Sequence, residues 1–477
     1  MIEYRQLYIG GEWVDPAGSE TIDVISPVSE ELHGRTPDAT PADVDRAVVA
    51  ARRAFDESEW PFLPPSERAA VLRRFADRYL AGVDEMAECI TGEMGSPIAF
   101  SKMGQSAAAW ALIDTYVRMA DDFAWEEQRT GITGMPVTVR REPVGVVGAI
   151  APWNVPQITI MSKLAPALLA GCAVVVKPSP ETPLDALKMA EWIHESGFPP
   201  GVVSVLPAGR EVGEHLVRHA GVDKIAFTGS TAAGRRIGGI CGEQIKRCSL
   251  ELGGKSAAIV LDDADIARTV KGLRFASFVN SGQACAAQTR VLVSRARHDE
   301  FVDAFADTVR SLHVGDPADE ATEIGPMVAR RQQERVAGYI GIGVDEGAQV
   351  AVGGPGMPDG IEHGWYIKPT VFANASNDMR VAREEIFGPV IVVIPYDDER
   401  DAIRIANDSD YGLAGSVWTA DKEHGRDVAR RVRTGTIGVN KFAPDFVAPF
   451  GGYKQSGIGR EYGREGLEEF LEVKSIG

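Results

Sequence analysis

The chain has 477 residues, 44% of them hydrophobic and 25% charged, which is an ordinary balance for a folded protein and long enough for two or three domains with cores of their own. A formal net charge of −18 argues against nucleic acid or an anionic membrane as the main partner, and no apolar run reaches the roughly 20 residues that a spanning helix needs. The five scattered cysteines form no CxxC pair or Cys/His cluster, so neither a metal site nor a disulfide framework is expected, and without a secretory leader the setting should be cytoplasmic and reduced.

In chain order, "QLYIGGEWV" reads as a hairpin turning at Gly10-Gly11, and "TIDVISP" as a further strand. Thr40 is a candidate N-cap with Pro41 at the first helical position. Val44, Ala47, Val48, Ala51 and Phe55 then recur at helical spacing. Further helices are expected through about 66–95 and through "SAAAWALIDTYVRMADDF". From residue 136 the texture turns valine-rich, and strand-like runs "GVVGAI", "CAVVVK", "VVSVLP" and "KIAF" alternate with helical stretches. One of those stretches carries Thr182 as expected N-cap, Pro183 in its first turn and Gly197 as its stop. Alternation of this kind predicts parallel βαβ units covered on both faces. A second set follows Gly253: "SAAIVL", a helix near 266–280, "TRVLVS", a helix in "DEFVDAFADTVRSL", then "VIVVIPY" and "IGVN". The end, "GLEEFLEVKSIG", reads as a short helix leading into a strand that needs a partner.

Several stretches place chemistry-bearing residues at strand ends, where ligands bind in open parallel sheets. "APWNVP" fixes Asn154 in a proline-bounded turn, either structural or a fixed donor for an oxyanion. "VVVKPSPETP" puts Lys177 at a strand end, either solvated or bonding ribose hydroxyls. "TGSTAAG" offers Gly229 and Ser230 at a helix start suited to a phosphate, although it lacks the GxGxxG spacing. Glu251 in "LELGGK" is turn chemistry or a general base. "EEIFGP" adds Glu385 and Phe387, and the glycine-rich "PFGGYKQSGIGRE" adds Phe450 and Glu461. In "SGQACAAQTR", Cys285 sits among small residues where a packed core would not place a thiol.

Taken together and in order, these residues resemble the aldehyde dehydrogenase superfamily over almost the whole chain, the pairing of "LELGGK" with "GQAC" being the most specific part. The resemblance implies an α/β fold with two Rossmann-like domains and a small β oligomerisation arm. Residues 1–124 and 144–253 would form the dinucleotide-binding domain and 254–448 the catalytic domain. Residues 125–143 and 449–477 would form the arm and the C-terminal loop and strand, making a homodimer or homotetramer. It implies Cys285 as nucleophile, Asn154 as half of an oxyanion hole, Glu251 as the base that activates water, and Glu461 as a proton relay. Pro152, Trp153, Lys177, Ser179, Pro180, Gly229, Ser230, Leu252, Glu385 and Phe387 fall on the cofactor side. Thr159, Ser162, Ala284, Ala286 and Phe450 fall along the aldehyde tunnel.

One departure concerns the cofactor. Pro180 stands where many NAD-preferring members carry glutamate, so NAD is expected but NADP is not excluded, with Ser179 free to bond a 2′-phosphate. Glu181, next in line, is expected to point elsewhere, as the residue leading into the following helix. No arginine adjoins Cys285 to clamp a carboxylate, which favours a medium or bulky uncharged aldehyde. Three alternatives remain: a semialdehyde substrate; CoA in place of water, against which Glu251 argues; and a silent structural protein on the same fold, which would have lost Cys285 or Glu251.

Overall fold

Gly10 and Gly11 join the strands Leu7–Ile9 and Glu12–Val14 into the expected hairpin, both glycines adopting positive φ (63° and 93°) as a tight two-residue turn requires. The computed structural model describes residues 1–442 and 444–477. Helix Pro41–Asp56 begins as the sequence indicates: the Asp43 N–H donates to Thr40 Oγ1, and the Asp43 carboxylate accepts from the Thr40 N–H at 2.8 Å. The stretch 66–95 divides into helices Pro65–Ala81 and Val83–Met94 at Gly82, where a Cβ would stand 2.4 Å from the Trp192 ring. Helix Ala107–Asp122 follows, led in by a π-helical turn at Ser101–Ser106.

The larger sheet has eight strands in the order Gly457–Ile458, Arg247–Glu251, Lys224–Thr228, Val146–Ile150, Ala173–Lys177, Val203–Val205, Leu7–Ile9, Glu12–Val14. Its five central strands are parallel, and the chain runs outward from Val146–Ile150 first on one side and then on the other. The strand order therefore reverses between Val146–Ile150 and Lys224–Thr228, the place where doubly wound sheets open a crevice at their carboxyl ends. These strands are buried on both faces and read as continuous apolar runs such as Ala173–Lys177.

The second sheet has seven strands in the order Gln349–Val352, Thr370–Ala373, Val390–Tyr396, Arg290–Ser294, Ala257–Val260, Ala414–Trp418, Thr436–Val439. All neighbours in it are parallel except the outermost pair of Gln349–Val352 with Thr370–Ala373. The terminal strand Leu471–Ile476 finds its partner within the same chain: it pairs antiparallel with Pro136–Pro143, which pairs in turn with Glu126–Thr130.

Two expected boundaries move. Thr182 does not cap its helix; Leu184–Glu195 starts after Pro183, and the Thr182 hydroxyl is buried without a partner. The cap comes instead from a distant residue, since the carboxylate of buried Glu93 accepts from the N–H groups of Leu184 (2.9 Å) and Asp185 (3.0 Å). The helix expected to reach Asn280 stops at Phe278, because Asn280 and Ser281 adopt φ of 52° and 58°. No helix among the described residues is long and apolar enough to cross a membrane.

Candidate active site

The site lies where the carboxyl ends of the first sheet meet the amino ends of the second. From the first come Asn154, beyond Val146–Ile150; Lys177, closing Ala173–Lys177; Gly229 and Ser230, beyond Lys224–Thr228; and Glu251, closing Arg247–Glu251. From the second come Cys285, ahead of Arg290–Ser294, and Glu385 with Phe387, ahead of Val390–Tyr396. The Trp153 and Phe387 rings meet edge-on between the two sets, centroids 5.3 Å apart and planes at 89°.

Cys285 owes its position to a left-handed run. Asn280, Ser281 and Gly282 all have positive φ, and a Cβ on Gly282 would stand 2.3 Å from the Gly388 carbonyl oxygen. The run is held by side chains: Asn280 Nδ2 donates to Asn154 O at 2.8 Å, and Asn154 Nδ2 donates to Gln283 O at 2.9 Å. The amide of Asn154 is thus buried and aimed at the loop that carries the thiol. Cys285 is half-buried, and burial pushes its thiol up to about 12, with the carboxylates of Glu385, Glu251 and Glu461 adding to the shift and the Ala286 N–H opposing it.

Glu251 is buried, and neither of its carboxylate oxygens has a hydrogen-bond partner among the described residues. Gly451 leaves the space it occupies, since a Cβ there would stand 2.6 Å from Glu251 Oε1. Burial, then the repulsion of Glu461, raises its pKa well above the usual carboxylate range, while Lys163 and Arg460 pull the other way. Glu461 lies behind it in an ion pair with Lys163 Nζ at 2.6 Å, and Lys163 also donates to Thr228 Oγ1 (2.6 Å) and Thr159 O (3.0 Å).

On the far side of the crevice, Ser230 caps helix Thr231–Gln244 by accepting from the Ala233 N–H, leaving the first N–H groups of the helix beside Gly229. Leu252 packs against Gly234 of that helix, where a Cβ would stand 2.5 Å from its side chain. Lys177 Nζ donates to the carbonyls of Pro178 (2.8 Å) and Ala208 (2.6 Å), and burial lowers it to about 8. Glu385 accepts from the Gly254 N–H at 2.9 Å.

Three expectations change. Glu181 does not point elsewhere: its carboxylate accepts from the Ser179 hydroxyl and pairs with Arg331, so a negative charge stands next to Pro180 after all. Ser162 is only 1% exposed and its hydroxyl donates to Thr159 O, so it offers no surface to a tunnel. The Thr159 hydroxyl likewise turns back onto its own helix, donating to Val155 O and Pro156 O. Both lie on helix Pro156–Ala170, whose side chains are buried almost throughout. Ala284 and Ala286 flank Cys285, the first half-buried and the second buried, and Pro152 is half-buried in the turn before Trp153. The Phe450 ring packs tilted against Tyr462, centroids 5.4 Å apart and planes at 34°.

Lys163 is the residue that motif reading missed. The signal was present: it is the sole charge in "PQITIMSKLAPALLA", and a lysine on an otherwise apolar helix stays buried only when paired.

A doubly wound sheet facing a second α/β unit across a thiol, an amide and a carboxylate defines a two-unit α/β scaffold with a candidate thiol-based site. The aldehyde dehydrogenase family model matches residues 13–476, and the chain belongs to that family. It is 46% identical over 475 residues to geranial dehydrogenase from Castellaniella defragrans, covering all of this chain and 99% of that protein. It is 44% identical to 3-succinoylsemialdehyde-pyridine dehydrogenase from a Pseudomonas species, again over all of this chain and 99% of the other. Among solved structures, Mycobacterium tuberculosis aldehyde dehydrogenase complexed with NAD+ matches with a TM-score of 0.98 and 48% identity, over all of this chain and 98% of that one. A cysteine-to-alanine variant of aldehyde dehydrogenase C from Pseudomonas syringae, in complex with NAD+ and octanal, matches with a TM-score of 0.96 and 40% identity, over 99% and 96% of the two chains.

Proposed function

We propose that this chain oxidises an aldehyde to the carboxylic acid with NAD+, using Cys285 as nucleophile, Asn154 as oxyanion donor and Glu251 as general base. One observation carries the reading: Glu251 is buried beside the Cys285 thiol with both carboxylate oxygens unpartnered. A structural carboxylate would be hydrogen-bonded at such depth, whereas a base must keep its oxygens free.

The residues fit a dinucleotide. Lys177 and Glu385 both spend their charge on backbone groups alone, and a helix N-terminus stands open beside Gly229. Lys177 and Ser179 would hold the adenosine ribose, Gly229 and Ser230 the phosphates, and Glu385 the other ribose. Phe387 and Trp153 would wall the ring, and Leu252 would support the helix. Bound NAD+ supplies a hydride acceptor.

Ionised Glu251 takes the Cys285 proton, and the sulfur bonds to the aldehyde carbon as the carbonyl electron pair moves to oxygen. Asn154 Nδ2 and the Cys285 N–H hold that oxygen. After hydride loss the acyl group remains on sulfur as a thioester. Glu251 passes the thiol proton onward through Glu461, held by Lys163, and is ionised again. It then takes a proton from water, the water oxygen bonds to the acyl carbon, and the C–S bond breaks to release the acid and the thiolate. The substrate is a medium or bulky apolar aldehyde, with Ala284, Ala286 and Phe450 around it; the geranial and octanal named for two similar proteins support this. The semialdehyde named for a third favours the second reading.

Assaying octanal and a terpene aldehyde against succinic semialdehyde, with NAD and with NADP, tests substrate and cofactor together. We expect the apolar aldehydes to give the higher kcat/KM, and a clear lead for the semialdehyde would reject that class. The strands Glu126–Thr130, Pro136–Pro143 and Leu471–Ile476 form the arm that joins two subunits, exposing Ile132, Met135, Val473 and Ile476 for that contact.

A further inference from the structure

Two cysteines outside the active site stand side by side. Helix Thr231–Gln244 carries Cys241 and ends in a left-handed turn at Ile245 (φ 54°). The Lys246 N–H closes that turn by donating to Cys241 O at 2.8 Å, so strand Arg247–Glu251 folds back at once along the helix. Cys248, two residues further on, pairs across the sheet with Ile225. On that strand face Leu250 lies against Gly238 of the helix and Leu252 against Gly234, so Cys248, the next residue on the same face, comes level with Cys241. Cys241 is 1% exposed within the core, whereas Cys248 is half-buried and open to a small reagent.

The charges around the pair favour one thiolate. The Lys224 charge lowers both sulfurs and is itself paired with Glu469 at 3.0 Å, the carboxylate opposing it at Cys248. The Lys246 charge also lowers Cys241, its Nζ anchored on the carbonyls of Val217 and His219. The neighbouring Cys241 thiol holds Cys248 below the usual thiol range, with burial opposing it. Burial drives Cys89, Cys172 and Cys285 the other way, the last two to about 11 and about 12.

We propose that Cys241 and Cys248 form a peroxide-oxidisable dithiol, Cys248 reacting first and Cys241 closing an intrachain disulfide. The Cys248 thiolate attacks one peroxide oxygen and the O–O bond breaks, leaving a sulfenic acid while the departing hydroxide takes a proton to become water. The Cys241 sulfur then attacks the sulfenic sulfur, the S–O bond breaks, and a second water leaves with the Cys241 proton. Two thiols are oxidised by two electrons, and one peroxide is reduced to two waters. The step is independent of aldehyde chemistry, because both sulfurs lie at the ends of their elements remote from Ser230 and Glu251.

Native, full-length Cys285→Ala protein treated with equimolar hydrogen peroxide, then blocked with iodoacetamide and digested with trypsin, tests this. Cleavage after Lys246 and Arg247 separates residues 237–246 from 248–255, so only a disulfide can hold these peptides together. We expect the joined pair, lighter by two hydrogens and released by dithiothreitol. In Cys241→Ser we expect oxygen addition at Cys248 with no joined peptide. Unmodified Cys248, oxygen addition there with Cys241 present and no joined pair, or a bridge between two chains would each overturn the proposal.

Discussion

Cys285 and Glu251 oppose each other at rest. Each is raised by burial, and the Glu251 charge raises the thiol further. Because the Glu251 pKa is raised, the base form is scarce at acidic pH and accumulates only as pH climbs well above the usual carboxylate range. We therefore expect kcat to rise with pH above the usual carboxylate range, and this rise to vanish in Glu251→Gln. The same shift makes a stability statement. A carboxyl whose folded pKa is raised contributes most below its unfolded value, and the contribution is lost as pH rises through the folded value. Glu251→Gln should accordingly melt higher than wild type at alkaline pH and show no such gain in acid. Glu181 supports a second expectation, about cofactor choice. Its carboxylate stands at Ser179 and occupies Arg331, so a 2′-phosphate there would meet a negative charge and find its arginine engaged. Glu181→Gln should raise the NADP to NAD ratio of kcat/KM by about tenfold, equivalent to about 1.4 kcal/mol; an unchanged ratio would remove Glu181 from cofactor selection. Glu251 was legible in its motif, but the direction of the Glu181 side chain in "KPSPETP" was not, since it depends on Arg331, far along the chain.

At the scale of elements, the strands and most helix starts were legible because local chemistry decided them. Thr40, Asp43 and Pro41 make a complete cap among neighbours, and Gly10-Gly11 meets the turn's demand for positive φ. The misplaced boundaries were those decided from afar. Glu93 caps Leu184–Glu195 from another helix, and nothing near Thr182 announces it. Removing that carboxylate strands two buried N–H groups, and Glu93→Ala should cost about 2 kcal/mol or more, seen as a lowered apparent Tm. Glu93→Gln keeps one acceptor and should recover part of the loss. Lys163 belongs to this scale as well, because its burial follows from the helix it rides on. Lys163→Met leaves Glu461 buried without its cation, and should lower kcat more than it changes KM if Glu461 carries protons from Glu251.

For the whole molecule, the alternation of apolar runs and helices was enough to expect parallel α/β units, and two largely parallel sheets are present. The sequence could not show that the units face each other end to end, carboxyl edge to amino edge. That arrangement lets Asn154 and Cys285, far apart in the chain, share a loop through Asn280 and Gln283. The terminal strand is a similar case: "LEVKSI" reads as a strand, but its pairing with Pro136–Pro143 is a long-range fact. The apolar residues left exposed on that small sheet and its turn are the surface that the proposed oligomer would bury. Val473→Asp should therefore shift the protein to a smaller species in light scattering, while an unchanged mass would place the interface elsewhere.

The most direct measurement mixes Glu251→Gln protein with octanal and NAD+ in a single turnover, following NADH by absorbance and the digested protein by mass spectrometry. The expected result is slow formation of NADH, no more than one per site, with the octanoyl group retained as a thioester on the peptide containing Cys285. Sustained turnover at the wild-type rate, or an acyl group on any residue other than Cys285, would contradict the mechanism.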